Sequence, residues 1–320
     1  MTEVRRHKQS TRRPPVTLFL IGAAFVFLVM TKGPIHGRDI GTTAPAFDTN
    51  LEIECPPHRI LSLSTNSLFS DFINDTLKVL DLASRDITKH ERPIDFLVNH
   101  YDRFPSVKNG FWAEFGVWRG TTLLSAYEGL RNQTTFEGTI AGFDSFEGLP
   151  EKWRNGFDEG RFGFDTFDGL PEKWRNGTED GRFSDLYTKV RVKLPPEVEL
   201  YKGWFQDSIP VFKASHSGIP AALIHHDGDL FLSTTVTLQL LNDRIKPGTH
   251  MIFDELVGYV DFEKHEILAL FLWMTEHVGV TLCAMGHSGR IDGNKPQWKS
   301  DPKRDAKPIE QSAWFQVISI

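Results

Sequence analysis

The chain has 320 residues, 40% of them apolar and 24% charged, with a formal net charge of −6. That length and apolar content support one large core and permit two domains, and the acidic balance argues against a general affinity for nucleic acid. Only two cysteines occur, Cys55 and Cys283, with no Cys-x-x-Cys or Cys/His cluster, which argues against a structural zinc site. They either pair in an oxidising compartment or stay as buried thiols, and the sequence favours the thiols.

Residues 1–13 form a basic tail with Arg5, Arg6, Lys8, Arg12 and Arg13. Residues 14–31 come next as a transmembrane anchor, since 16–30 are almost wholly apolar, near the lower length of a spanning helix. No Ala-x-Ala pattern ends the run, so an uncleaved anchor is preferred to a signal peptide. The basic flank predicts a type II orientation, with the bulk of the chain across the membrane. Residues 32–58 read as a stem. Residues 59–107 read as a helical cap, with helices over 68–82 and 93–104, the second opened by Pro93.

Residues 111–122 organise the remainder of the chain. Apolar residues lead into Glu114, Gly116 and Gly120 stand four apart, and Thr122 begins a helical pattern. This spacing predicts a strand, a tight turn and a helix N-terminus. Glycine at 116 lets backbone approach a ligand, the free N–H groups of the helix favour an anion, and Glu114 accepts from an ammonium group. Residues 139–144 are a second strand ending in Asp144, placed to offer its carboxylate to a ribose hydroxyl.

The two motifs together resemble the cofactor-binding motifs of class I S-adenosylmethionine-dependent methyltransferases. Gly142-Phe143-Asp144-Ser145-Phe146-Glu147-Gly148-Leu149-Pro150 resembles more narrowly the macrocin O-methyltransferase family, and the resemblance covers residues 108–320. It implies an α/β Rossmann-like fold: a mostly parallel seven-stranded sheet with a C-terminal antiparallel hairpin and helices on both faces. It also implies S-adenosylmethionine as cofactor, held by Glu114, Gly116, Gly120, Thr122 and Asp144.

Residues 142–162 are followed by a near copy, 163–183, identical at 16 of 21 positions. Two units are too few for a solenoid, so this is a tandem duplication of one loop. The apolar lead-in precedes only the first copy. Asp144 is therefore expected to end the strand, and Asp165 to sit in an inserted surface loop. Beyond it, strands are expected at 198–205, 221–225, 250–253, 281–284 and 314–320. Helices are expected at 207–212, 233–245, with Ser233 as N-cap, and 262–278; a polar linker covers 289–308. Such alternation argues for a parallel sheet.

Two of these strands deliver acids to one sheet edge: Asp227 and Asp229, then Asp254 and Glu255. Like charges so close call for a hard divalent cation, Mg²⁺ by default. The resemblance gives the corresponding acids a Mg²⁺ that binds the acceptor's oxygens, with Asp229 as a candidate fourth ligand. His226 is the candidate general base, and His225 is assigned to packing. The expected activity is O-methylation of a sugar or other small-molecule hydroxyl. A rival class is a metal-dependent glycosyltransferase using Asp227-x-Asp229, and a third is a non-catalytic cofactor-binding module. Asn74, Asn132 and Asn176 lie in Asn-x-Ser/Thr sequons, which matter for a lumenal domain. The expected setting is the Golgi or endoplasmic reticulum.

Overall fold

A computed structural model describes residues 53–64, 66–87, 92–144, 186–258, 262–288 and 311–320. The expected basic tail, the anchor, most of the stem, the duplication beyond Asp144 (with Asp165 and Asn176) and the linker 289–308 lie outside the described residues. Among the described residues, no helix is long and apolar enough to cross a membrane.

In chain order the strands are β1 (Ile60–Ser62), β2 (Phe111–Phe115), β3 (Ile140–Asp144), β4 (Val198–Lys202), β5 (Ala221–His226), β6 (His250–Phe253), β7 (Thr281–His287) and β8 (Ala313–Ser319). The α-helices are α1 (Phe69–Asp86), α2 (Pro93–His100), α3 (Thr121–Gln133), α4 (Leu186–Lys193), α5 (Phe205–Ser215), α6 (Phe231–Leu241) and α7 (Glu266–Glu276). The strands form one sheet in the order β1-β7-β8-β6-β5-β2-β3-β4. The run from β6 to β4 is parallel, and β8 is antiparallel to both β6 and β7, which makes the expected C-terminal hairpin.

The sheet has one strand more than expected. Ile60–Ser62 pairs antiparallel with β7 at the edge, so the stretch ahead of β2 is not wholly helical. Ser233 does not cap α6: that helix starts two residues earlier, its N-cap position is Leu230, and no side chain among the described residues caps it. Helix α4 has no counterpart among the expected elements.

Both faces of the sheet are covered. Residues from α1, α5, α6 and α7 pack on one face with Phe111, Phe115, Phe143 and Phe253. Residues from α2, α3 and α4 pack on the other with Trp112, Leu223 and Trp314. Strands buried on both sides read as near-continuous apolar runs, and in β2 and β3 every residue is buried, the acids Glu114 and Asp144 included. On the first face the register sets Phe115 beside Phe143 and Phe143 beside Tyr201, and their rings stack at 4.6 and 5.0 Å. Phe212 of α5 meets Phe111, Phe143 and Tyr201 edge-on. Such pairs add about 0.5–1.5 kcal/mol each beyond area burial, and they hold β2, β3 and β4 as one rigid floor.

Cys55 and Cys283 are joined by a disulfide, which overturns the preference for free thiols. Cys283 lies opposite Ile60 in the β1–β7 ladder, so the pairing that sequence missed is also what brings the two sulfurs together.

Candidate active site

Strand β2 lies between β3 and β5, and the chain leaves it first toward β4 and later toward β6. This is a topological switch point, and ligands of open α/β sheets bind in the crevice outside the carboxyl ends there. The expected acids converge on it from β2, β3, β5 and β6.

Glu114 is fully buried near the end of β2 and stands opposite His225 in the ladder. Its Oε2 is 3.4 Å from His225 Nδ1, whereas its Oε1 has no hydrogen-bond partner among the described residues. Burial raises the Glu114 pKa, while the contact with His225 pulls it back. Gly116 has φ +97°, and a Cβ there would sit 1.9 Å from the Asp227 carbonyl oxygen. Its missing side chain therefore admits the protein's own backbone rather than a ligand, a correction to the sequence reading. The Asp227 N–H donates to the Phe115 carbonyl at 2.8 Å, so this approach knits the ends of β2 and β5 together.

Gly120, at φ +68°, is the N-cap of α3, where a Cβ would crowd Val190 of α4 at 2.9 Å. Among the described residues no side chain caps α3, so none of them takes up the N–H groups of its first turn, Thr122 included, by side-chain capping. Asp144 ends β3 as expected and is fully buried. Its Oδ2 accepts the N–H groups of Val117 and Trp118, each at 3.1 Å, and so braces the turn between β2 and α3. Trp118 holds φ +46°, an uncommon conformation for a bulky residue, with the Arg119 guanidinium 4.4 Å from its ring centre.

On the other side of β2, Asp227, Asp254 and Glu255 each present a carboxylate oxygen, all within 4.8 Å of one another. All three are half-buried. Burial, then Asp254, Glu255, Glu114 and Glu266, drives the Asp227 pKa well above its ordinary value. Asp229 does not belong to this group: it is fully buried in a left-handed conformation, φ +57°. Sequence reasoning missed Glu266, which is fully buried at the start of α7. It accepts the Glu255 N–H at 3.1 Å and the Thr234 hydroxyl at 3.4 Å. Its signal, an acid in a first helical turn, is indistinguishable from ordinary dipole pairing.

The structure places the two histidines on opposite sides of the sheet from those the sequence reading expects. His226 is buried in the core face, stacked on Phe253 at 4.5 Å, and burial holds its pKa down to about 3. A ring so placed is packing, not a general base. His225 faces the crevice acids, with Nε2 4.0 Å from Asp254 Oδ1.

Strand order, switch point and acid placement together define the class I methyltransferase fold. Residues 106–265, half of the chain, match the family described as macrocin-O-methyltransferase (TylF). The chain belongs to that family. It is 30% identical over 149 residues to 8-demethyl-8-(2,3-dimethoxy-alpha-L-rhamnosyl)-tetracenomycin-C 4'-O-methyltransferase of Streptomyces olivaceus, covering 46% of this chain and 52% of the relative. It is 27% identical over 148 residues to demethyldecarbamoylnovobiocin O-methyltransferase of Streptomyces niveus, with the same coverage. The chain thus spans about half the length of the curated relatives it matches. Among solved structures, the calicheamicin methyltransferase CalS11 is similar at 20% identity and TM-score 0.43, over 79% of this chain and 87% of that one. The O-methyltransferase NovP is similar at 22% identity and TM-score 0.39, over 70% and 77%.

Proposed function

We propose that the chain is an S-adenosylmethionine-dependent O-methyltransferase acting on a hydroxyl of a sugar or similar small molecule, assisted by Mg²⁺. The observation that carries this is the pairing of two unlike sites one strand apart. The buried Glu114 Oε1, without a hydrogen-bond partner among the described residues, lies on β2, which the tight turn joins to the start of α3. The Asp227–Asp254–Glu255 group lies across β5 and β6.

The residues present fit both groups. Glu114 suits the ammonium end of S-adenosylmethionine, the first turn of α3 its carboxylate, and the end of β3 at Asp144 its ribose. Three hard oxygen donors suit Mg²⁺. S-adenosylmethionine, when bound, supplies an activated methyl group. Mg²⁺, when bound, lowers the pKa of an acceptor hydroxyl. The protein's part is positioning: the aromatic floor and the Asp144 brace fix β2 and β3, and Glu266 fixes Glu255. A rhamnosyl group in the name of one relative supports a sugar acceptor.

The same proposal sets the catalytic domain in the lumen of the endoplasmic reticulum or Golgi, behind a single-pass type II anchor at 14–31. The basic flank before the apolar run supports this. So does the Cys55–Cys283 disulfide, because disulfides persist in oxidising compartments. Asn74 and Asn132 are both exposed, as glycan acceptors must be.

Titration of the detergent-solubilised full chain with S-adenosylhomocysteine and, separately, with UDP tests the activity. Binding of the first alone is expected; binding of UDP alone would favour the glycosyltransferase. Protease protection in sealed microsomes tests the location. Digestion of the domain without detergent would reverse the orientation.

A further inference from the structure

Glu114, His225 and Asp227 form a second convergent group, with one donor atom from each within 4.8 Å of the others. It differs in kind from the three-acid group, because one donor is an imidazole nitrogen. We propose that these residues are a binding site for a borderline transition-metal ion such as Zn²⁺ or Co²⁺. The site overlaps the ammonium subsite of the cofactor, a consequence that rests on the function proposed above.

Three observations support it. The 3.4 Å between His225 Nδ1 and Glu114 Oε2 is longer than a good hydrogen bond. It equals the spacing of two donors on a tetrahedral ion, since bonds of about 2.0–2.1 Å put neighbouring ligands about 3.3–3.4 Å apart. Second, the group contains a buried polar atom without a hydrogen-bond partner among the described residues: Glu114 Oε1, on a side chain 1% exposed. An unmet donor or acceptor in such a place is costly unless something occupies the site. Third, an outer partner is in place: His225 Nε2 faces Asp254 Oδ1 at 4.0 Å, and metal-binding histidines direct their second nitrogen to a carboxylate.

Donor chemistry separates the two groups. Imidazole with carboxylates favours zinc-like ions, whereas three carboxylates favour Mg²⁺. Asp227 belongs to both and is half-buried, which gives an ion its way in. A transition metal held there neutralises Glu114 and so excludes the cofactor's ammonium group. The enzyme is then reversibly inhibited by zinc in competition with S-adenosylmethionine.

The test is a cobalt titration of the metal-stripped, detergent-solubilised full chain, read by the visible absorption of four-coordinate Co²⁺. One ion per chain is expected, bound roughly tenfold or more tighter than Mg²⁺. His225→Gln should abolish the spectrum, and Glu255→Gln should keep it. Glu114→Gln, checked for folding by circular dichroism, should lose it as well and guards against a misfolded His225 variant. Saturating S-adenosylhomocysteine should weaken cobalt binding by roughly tenfold. No cobalt spectrum in the folded wild type, or an unchanged spectrum in both His225→Gln and Glu114→Gln, overturns the site. Cobalt binding indifferent to S-adenosylhomocysteine overturns the overlap with the cofactor. S-adenosylhomocysteine binding to the metal-free chain is measured alongside: its failure sinks the methyltransferase reading and leaves the metal site to stand on the cobalt spectrum.

Discussion

At the ends of β2 and β3 each carboxylate has a partner within the protein, whereas at the ends of β5 and β6 the strongest charged neighbours of Asp227 are other acids. Asp144 is satisfied by two backbone N–H groups, and Glu114 meets His225. Burial, and then the facing acids Asp254, Glu255, Glu114 and Glu266, raise the Asp227 pKa well above its ordinary value. The first region is braced by hydrogen bonds, and only Glu114 Oε1 is left open there among the described residues. The second gathers carboxylates whose mutual repulsion a divalent ion would relieve.

The widest separation between the two regions is expected in metal dependence. Asp227→Asn or Asp254→Asn should lower turnover by about 10³-fold, the rate equivalent of several kcal/mol of lost metal assistance. Affinity for S-adenosylhomocysteine should hardly change. Full turnover in excess EDTA would return the acids to a structural role.

Acid pH separates the core from the acid group next. The folded-state pKa values of His226 and His250 lie near 3, below the ordinary 6.5. Both rings stay neutral when folded, so the stability they contribute is whole above pH 6.5 and falls as the pH drops toward 3. At pH 5 each should have lost about 2 kcal/mol. Glu114, Asp227 and Glu266 have raised values and act in the opposite sense: their contribution is lost as the pH rises through them. Melting in a pH series should show both limbs, and Mg²⁺ should raise the midpoint more at pH 8 than at pH 5. His226→Phe should flatten the acid limb and leave turnover within roughly twofold; a large loss of turnover would restore His226 to the chemistry.

The smallest expected effect discriminates between the duplicated loops. Asp144→Ala removes a charged acceptor worth about 1.5–3 kcal/mol and should weaken cofactor binding roughly tenfold or more, while Asp165→Ala should change it little. Equal losses would mean that the second copy contributes to the site.

Much of the crevice is legible in the sequence because it lies at strand ends marked by acids and glycines: Glu114, Gly116, Gly120, Asp144, Asp227 and Asp254 all stand where the pattern puts them. Legibility fails where the physical signal is absent. In β5 all six residues are buried, so no alternation distinguishes the face of His225 from that of His226. Strand β1 has three residues, too few for a period, and without it nothing brings Cys55 to Cys283. The need for glycine at 116 is legible but its neighbour is not, because the crowding comes from Asp227, far along the chain. Glu266 contributes from a helix that starts later than the apolar pattern implies.

The disulfide also decides how the domain bears load. Tension arriving along the chain ahead of residue 55 passes through the covalent bond into Cys283 on β7. In the sheet, β8, β6 and β5 stand between β7 and β2, so the force enters well away from the glycine turn. The three-residue β1 is shielded from peeling, because the bond takes the pull before its hydrogen bonds do. With the sulfurs reduced, the same pull would unzip β1 from β7 first and leave α1 as the next element to resist it.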